Sequence, residues 1–92
     1  MTNQELSSKI LELVGGRGNV NSATNCMTRV RIHVKDDGAI QDAALKNVEG
    51  VLGLVHDNPG YVEVVVGPGK CRKIADIYKD MGIPVSAESG DA

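Results

Sequence analysis

A thiol and two permanent positive charges lie close together in one short segment. In NCMTRVR (residues 25–31), Cys26 is followed at plus three and plus five by Arg29 and Arg31. Residues two apart on a strand share a face and lie about 6.5 Å from each other. Two guanidinium groups there would stabilise the thiolate of Cys26 and hold an anion bonded to its sulfur. A phosphoryl group carried on the sulfur would suit such a site. Solvated arginines beside a packed cysteine are the simpler alternative, and this segment alone slightly favours that alternative.

Two further elements could add donors for such an anion. The backbone N–H groups of Met27, Thr28 and Arg29 would do so if they converged in a turn. Residues 67–70 (GPGK) lead into a predicted helix, whose N-terminus presents free N–H groups, and Lys70 adds a charge. The segment lacks the spacing of a nucleotide-binding P-loop. On turn chemistry alone, a plain change of chain direction is the favoured interpretation.

Two classes of cysteine-dependent enzyme fit the segment poorly. A cysteine phosphatase needs an arginine six residues after the cysteine, and Ile32 stands at that position. A cysteine hydrolase needs a histidine beside the thiol, whereas His33 would lie about 20 Å from Cys26 by the rise of a strand. Neither His33 nor His56 comes with an evident carboxylate to orient its ring. Neither class is therefore expected at this site.

The composition indicates one small domain without aromatic recognition. The chain has 92 residues, of which 41% are hydrophobic and 2% aromatic, with no Trp and no Phe. Its core must come from Val, Ile, Leu and Ala, and stacking on nucleic-acid bases is not expected. A net charge of -2 and a pI near 5.6 also argue against a nucleic-acid partner.

The cysteines and the N-terminus point to a cytoplasmic protein. Cys26 and Cys71 are far apart and have no metal-ligand spacing, so no metal and no other cofactor is expected, and Cys71 is given no role. The polar N-terminus lacks the character of a signal peptide. The longest apolar run, residues 64–66, is too short for membrane insertion. Reduced thiols in the cytoplasm would leave a cysteine available for chemistry.

Hydrophobic periodicity predicts helices alternating with short strands. The clearest strand is 28–35, with Val30, Ile32 and Val34 on one face and basic side chains on the other. The other predicted elements are a helix at 3–15, a strand or loop at 19–25, a helix at 40–48, a hairpin of strands 51–56 and 61–66, and a helix at 71–81. Strands with one apolar face predict an antiparallel sheet covered by helices on one side.

Several short motifs, in this order and spacing, resemble the IIB domain of the glucose-type family of the bacterial phosphoenolpyruvate:sugar phosphotransferase system. They are GNV (18–20), NCMTRVR (25–31), KD (35–36), GVLG (50–53) and VVGPG (65–69). The resemblance covers about residues 3–82, and the C-x-T-R-[LV]-R pattern is its most specific part. It outweighs the simpler interpretation of the cysteine segment.

The resemblance implies an α+β fold, an open two-layer sandwich. A four-stranded antiparallel sheet would carry three helices packed on one face, with 19–25 a true strand and Cys26 in the turn that follows it. The domain is expected to span residues 1–83, and residues 84–92 to form a flexible tail or linker. That tail favours a chain excised before a membrane domain.

The implied activity is phosphoryl relay. Cys26 would accept a phosphoryl group from a histidine of a IIA domain and pass it to a sugar held by the membrane IIC domain. Arg29 and Arg31 match the arginines needed to pass the group onward. The remaining phosphate-binding positions implied are Met27, Thr28, Gly67, Gly69 and Lys70. The isolated domain is expected to be a monomer, placed at the inner face of the cell membrane within a transporter complex.

One position departs from the pattern of the glucose-specific members. They carry an aspartate two residues before the cysteine, where this chain has Thr24. NCMTRVR combined with GPGK resembles instead the members that handle N-acetylmuramic acid. The sequence leaves the sugar itself undetermined.

A function from another class also fits the residues. A non-enzymatic anion-binding or regulatory module could use the face that carries Arg29, Arg31, His33 and Lys35 to dock an acidic partner or RNA. Replacement of Cys26 by serine would then leave function intact, so this substitution separates the two hypotheses.

Overall fold

The computed structural model describes residues 2–87 of the chain. Within them, three α-helices alternate with five strands, which confirms the α+β class. The elements are α1 (Asn3–Leu13), β1 (Val20–Asn25), β2 (Arg29–Val34), α2 (Asp42–Lys46), β3 (Gly53–Val55), β4 (Tyr61–Val65), α3 (Lys70–Asp80) and β5 (Val85–Ala87). Two short 3₁₀ helices, Arg17–Asn19 and Asp37–Ala39, lie in the connections.

The strands form one mixed sheet in the order β3-β4-β2-β1-β5. Neighbours are antiparallel except for β5, which runs parallel to β1. The prediction of a four-stranded, fully antiparallel sheet is therefore wrong in strand number and in one direction. An uncovered β1 would expose a row of unpaired backbone groups, and β5 covers that edge, with Ala23 N–H donating to the Pro84 carbonyl at 2.9 Å.

The fifth strand comes from the segment expected to be a tail. Ile83 is buried, and the Arg17 side chain donates from Nε and Nη2 to the Met81 carbonyl, at 3.2 and 2.9 Å. These contacts hold the chain after α3 against the sheet. Residues 84–87 are consequently part of the fold, while residues 88–92 of the expected tail lie outside the described residues. The domain boundary after residue 83 stays a prediction.

Helix α1 begins and ends where local chemistry requires it. Thr2 caps its N-terminus in a capping box with Glu5, whose carboxylate accepts from Thr2 N–H at 2.8 Å. The helix ends at Leu13, earlier than predicted, and the chain leaves it through Gly15 with φ +110°. A Cβ at Gly15 would lie 2.6 Å from Asn19 Nδ2, so glycine is required there for space as well as for conformation.

The core lies between the sheet and the helices. Along β2, Val30, Ile32 and Val34 are buried and alternate with half-buried Arg29, Arg31 and His33, as predicted. Helix α3 packs on β1 and β2, α2 contacts β3, and α1 packs against both other helices. The face of the sheet that carries the arginines is turned away from this core. No helix within residues 2–87 combines the length and apolar character needed to cross a membrane.

Candidate functional site

Cys26 lies in the tight turn that joins β1 to β2, as the resemblance implied. Its backbone N–H donates to the Arg29 carbonyl at 3.0 Å and closes the turn. Cys26 is half-buried and Met27 beside it is 78% exposed. The turn therefore brings the thiol to the end of the sheet, where another molecule can approach it.

The amide groups that follow Cys26 are open to an anion. Met27 N–H and Thr28 N–H donate to no other residue among those described, 2–87. The Thr28 carbonyl, in contrast, accepts from Val66 N–H at 3.0 Å and from Gly67 N–H at 2.9 Å. These bonds hold the turn through its carbonyl and leave two N–H groups beside the cysteine for an external acceptor.

The turn at residues 67–70 packs directly beside the cysteine turn. Gly67 and Gly69 have φ values of +94° and +84°, which a side chain would disfavour. Gly69 caps α3 without a side-chain hydrogen bond, and the first turn of the helix holds no acidic residue. That turn carries Lys70, Arg72 and Lys73, all exposed, at the helix end whose dipole favours anions. The structure thus places unneutralised positive charge on this side of the molecule.

Two predicted phosphate-binding residues of this second turn, Gly67 and Lys70, have different surroundings. The Gly67 amide is committed to Thr28, so Gly67 connects the two turns and has no free N–H for a ligand. The Lys70 side chain runs over Gly50, where a Cβ would lie 3.8 Å from Lys70 Nζ. Lys70 therefore contributes charge from the direction of the connection between α2 and β3.

Cys71, which sequence reasoning gave no role, contacts the cysteine turn. Its buried thiol lies 3.1 Å from the Cys26 carbonyl and 3.2 Å from the Met27 carbonyl, and donates to them. A thiol is a weak donor, but these contacts tie the first turn of α3 to the backbone of the site. No local sequence signal could have paired residues so far apart in the chain.

Glu63 is the main residue of the site that the sequence did not reveal. It lies on β4 directly opposite Arg31. Its Oε1 accepts from Arg29 Nη1 at 2.6 Å, and its Oε2 accepts from Arg31 Nε at 3.1 Å and Nη2 at 2.9 Å. The alternation of β4 predicts that Glu63 shares a face with the arginines, but only the pairing of β4 with β2 brings the three together. We call Arg29, Arg31 and Glu63 the Glu63 cluster.

Electrostatics keep the Glu63 cluster ionised. The hydrogen bond from Arg29, together with that from Arg31, holds the pKa of Glu63 below its usual value although burial opposes this. Two guanidinium groups and one carboxylate leave a net charge of about +1. The Arg31 guanidinium also lies over the Tyr61 ring, 5.3 Å from its centre. The predicted arginine pair is thus present, but a carboxylate already occupies it.

His56 corrects one sequence inference. No carboxylate was expected to orient a histidine, yet His56 Nδ1 lies 2.7 Å from Asp42 Oδ1 and Nε2 lies 2.8 Å from Asp37 Oδ1. Both ring nitrogens are therefore occupied by carboxylates. The expectation that His56 does not activate Cys26 stands, but for this reason and not for want of a carboxylate.

A surface depression along α1 does not belong to this site. It is lined by Gln4, Glu5, Ser8, Lys9, Glu12 and Glu49, and it includes no residue of the cysteine turn. A half-buried cysteine at the end of a sheet suits brief contact with other macromolecules, which needs only a small interface.

Comparisons with known proteins agree on one family. A family profile described as phosphotransferase system, EIIB, matches residues 8–41, which include Cys26, Arg29 and Arg31. The PTS system MurNAc-GlcNAc-specific EIIBC component of several Staphylococcus aureus strains is 45% identical over 73 residues, 79% of this chain. The crystal structure of one domain of the PTS system IIabc component from Clostridium difficile matches with a TM-score of 0.83 at 25% identity. That match covers 95% of this chain and 90% of the other.

The fold and the cysteine turn agree with these matches. The chain belongs to the EIIB family of the phosphotransferase system. This confirms the predicted family and its similarity to members for N-acetylmuramic acid. The matched segment spans 15% of the length of the Staphylococcus relatives.

Proposed function

We propose that this chain carries phosphoryl groups within a sugar-transporting phosphotransferase system, with Cys26 as the residue that is phosphorylated. The observation that carries the proposal is the cysteine turn: an accessible thiol followed by two amides, of Met27 and Thr28, that donate to no described residue. Uncommitted N–H groups beside a nucleophile can bind the oxygens of a tetrahedral anion.

Acceptance of the phosphoryl group is a displacement at phosphorus. The Cys26 thiolate attacks a phosphohistidine of a IIA domain, an S–P bond forms, and the N–P bond breaks. The imidazole leaves with the electron pair, and the proton given up by the thiol returns to the imidazole or to solvent. Such a transfer depends on positioning and charge stabilisation more than on covalent assistance. The amides of Met27 and Thr28 and the positive end of α3 would hold the phosphoryl oxygens.

Donation reverses the role of the sulfur. A hydroxyl of a sugar bound by a membrane IIC domain attacks phosphorus, an O–P bond forms and the S–P bond breaks. The thiolate leaves with the electron pair, and the proton of the hydroxyl passes to the thiolate or to solvent. Arg29 and Arg31 would help to pass the group onward by neutralising its charge, Arg29 through a bidentate contact that a lysine cannot make. The phosphorylated state must be stable enough to form and labile enough to transfer.

The second turn would support this chemistry indirectly. Gly67 connects the two turns, Gly69 opens the N-terminus of α3, and Lys70 adds a positive charge nearby. All three belong to the proposed phosphate-binding site, with Gly67 and Gly69 shaping it and Lys70 acting at longer range.

The partners follow from the relay. The name EIIBC of the Staphylococcus relatives joins an EIIB and an EIIC part, which supports a membrane IIC partner at the inner face of the membrane. A IIA domain would supply the phosphoryl group, and the domain would act as a monomer. The similarity to MurNAc-GlcNAc-specific proteins favours sugars of that kind as acceptors. The sugar would be selected by the IIC domain and not by the open face of this one.

The experiment is phosphorylation of the 92-residue chain by phosphoenolpyruvate and the upstream phosphohistidine proteins. Mass spectrometry should find one phosphoryl group on Cys26, none in Cys26→Ser, and an unchanged adduct in the matched control Cys71→Ser. A wild-type chain that takes up no phosphate, or a Cys26→Ser chain that still does, overturns the proposal.

A non-enzymatic docking face is not favoured. Glu63 neutralises one of the two arginine charges, and the Tyr61 ring lies against Arg31 and 5.5 Å from the His33 ring. The face is therefore less positive than its sequence indicates, which weakens its attraction for an acidic partner or RNA.

A further inference from the structure

The two arginines of the Glu63 cluster are held unequally. Arg31 makes two hydrogen bonds to Glu63 Oε2 and lies over the Tyr61 ring. Within residues 2–87, the Arg29 side chain makes one hydrogen bond, from Nη1 to Oε1. The Arg29 side chain is 38% exposed and that of Arg31 27%. Arg31 is consequently anchored on the sheet, whereas one exchange of partner would release Arg29.

The register of the sheet also indicates that Arg31 is held more firmly than Arg29. Arg31 faces Glu63 directly across the β2–β4 pair, while Arg29 faces Val65 and reaches Glu63 diagonally. Arg29 is also the residue whose carbonyl closes the cysteine turn by accepting from Cys26 N–H. The arginine that is held less firmly is thus the one whose backbone closes the cysteine turn.

The negative charge of a phosphoryl group on Cys26 would act on the arginine that Glu63 holds less firmly. Glu63 is buried, and both of its oxygens accept hydrogen bonds from arginine. A phosphoryl group on Cys26 would bring more negative charge than one carboxylate, with oxygens that suit the same guanidinium donors. Carboxylate and phosphoryl group would therefore compete for Arg29.

We propose that Glu63 is a positioning residue of the relay: it holds Arg29 and Arg31 side by side while Cys26 is unmodified, and gives up Arg29 alone to the phosphorylated cysteine. The inference rests on the proposed function. Breaking of the Arg29–Glu63 contact as the phosphoryl group arrives, and its re-formation as the group leaves, would limit how strongly the site holds the group. A phosphoryl carrier must not bind the group too strongly, because it has to transfer the group to an acceptor.

The first test uses the wild-type chain and needs no substitution. The side-chain nitrogen and carbon NMR signals of Arg29 and Arg31 are assigned, and Cys26 is then phosphorylated with phosphoenolpyruvate and the upstream proteins. The guanidinium signals of Arg29 should shift strongly and those of Arg31 much less. Equal shifts, a larger shift of Arg31, or no shift in either overturns the inference.

The second test measures the equilibrium of phosphate between the phosphohistidine donor and Cys26. Glu63→Gln removes the competing charge at nearly constant shape, and a neighbouring charge alters such equilibria by about tenfold or more. The equilibrium should therefore shift about tenfold toward phosphocysteine, and transfer to sugar should slow. Glu63→Asp keeps the charge with a shorter reach and should fall between wild type and Glu63→Gln.

The matched control is Glu12→Gln, the same change at an exposed residue of α1. It should leave both the equilibrium and the transfer rate at the wild-type level. A Glu63→Gln chain that behaves like Glu12→Gln, or that shifts the equilibrium away from phosphocysteine, overturns the role of Glu63 while Cys26 still becomes phosphorylated. A wild-type chain that takes no phosphate overturns the proposed function as well, so the two failures are distinguishable.

Discussion

In each of two clusters of ion pairs in this domain, one charged side chain lies between two side chains of opposite charge. The signs of the charges in one cluster are the reverse of those in the other. In the Glu63 cluster, one carboxylate lies between two arginines. Beyond β3, His56 lies between two carboxylates, those of Asp37 and Asp42. We call these last three residues the His56 cluster. The first sits on the sheet face next to the cysteine turn, and the second joins the connections after β2 and β3 to the first residue of α2.

The clusters differ in which member can lose its charge. Arginine keeps its charge at any relevant pH, so the Glu63 cluster presents a constant positive site. The hydrogen bond with Asp37 raises the pKa of His56 above its usual value although burial opposes this, and Asp42 adds to the rise. The Asp37 carboxylate also accepts from Gly60 N–H at 2.8 Å. The His56 cluster thus joins separate segments through ion pairs that a rise in pH can weaken, whereas the Glu63 cluster keeps its positive charge.

The largest expected effect on stability is from Glu63→Ala. Two guanidinium groups would face each other without a carboxylate and would lose charge-assisted hydrogen bonds. After allowance for their partial exposure, we expect the free energy of unfolding to fall by about 2 kcal/mol. Urea denaturation at neutral pH measures it. Glu12→Ala, in an exposed pair with Lys9, is the control and should change the free energy of unfolding by less than about 0.5 kcal/mol. Equal effects of the two substitutions would contradict the stabilising role of the Glu63 cluster.

The His56 cluster should make stability depend on pH. Because the pKa of folded His56 lies above the unfolded value of about 6.5, its contribution is complete below that pH and is lost as the pH rises through the folded pKa. We expect a loss of about 1 kcal/mol, measured by urea denaturation from about pH 6 to pH 9. The loss should disappear in His56→Gln and persist in His33→Gln. If the free energy of unfolding of the wild-type chain did not change over this pH range, the stabilising role of the His56 cluster would be contradicted.

The smallest expected effect distinguishes the contributions of Asp37 and Asp42 to the pKa of His56. Asp37 is fixed by both His56 and Gly60, and it is the main cause of the raised pKa of His56. Asp37→Asn should therefore lower the pKa of His56 more than Asp42→Asn does. An NMR titration of the His56 ring protons in both variants measures this. A larger change in Asp42→Asn would reverse the assignment of roles within the His56 cluster.

The sequence predicted most elements because their signals are local. The alternation along β2 predicted a strand, and the spacing of apolar residues in α1 and α3 predicted helices. The resemblance placed β1 and the cysteine turn correctly. Helix α2 is shorter than predicted and β5 was missed. β5 is a three-residue strand stabilised by pairing with β1, and such pairing leaves little trace in local composition.

Within the site, the sequence by itself determined the chemistry that is covalent or local: the thiol of Cys26, the arginines at alternate positions, and the glycines whose φ values need them. Only the tertiary structure decided the partners of those groups. Glu63 meets the arginines through the register of β4 against β2, and Cys71 reaches the Cys26 carbonyl because α3 starts beside that turn. His56 likewise finds both its carboxylates through packing of separate loops. The physical reason is common to all three: a hydrogen bond or ion pair depends on distance in space, and spacing along the chain does not specify that distance.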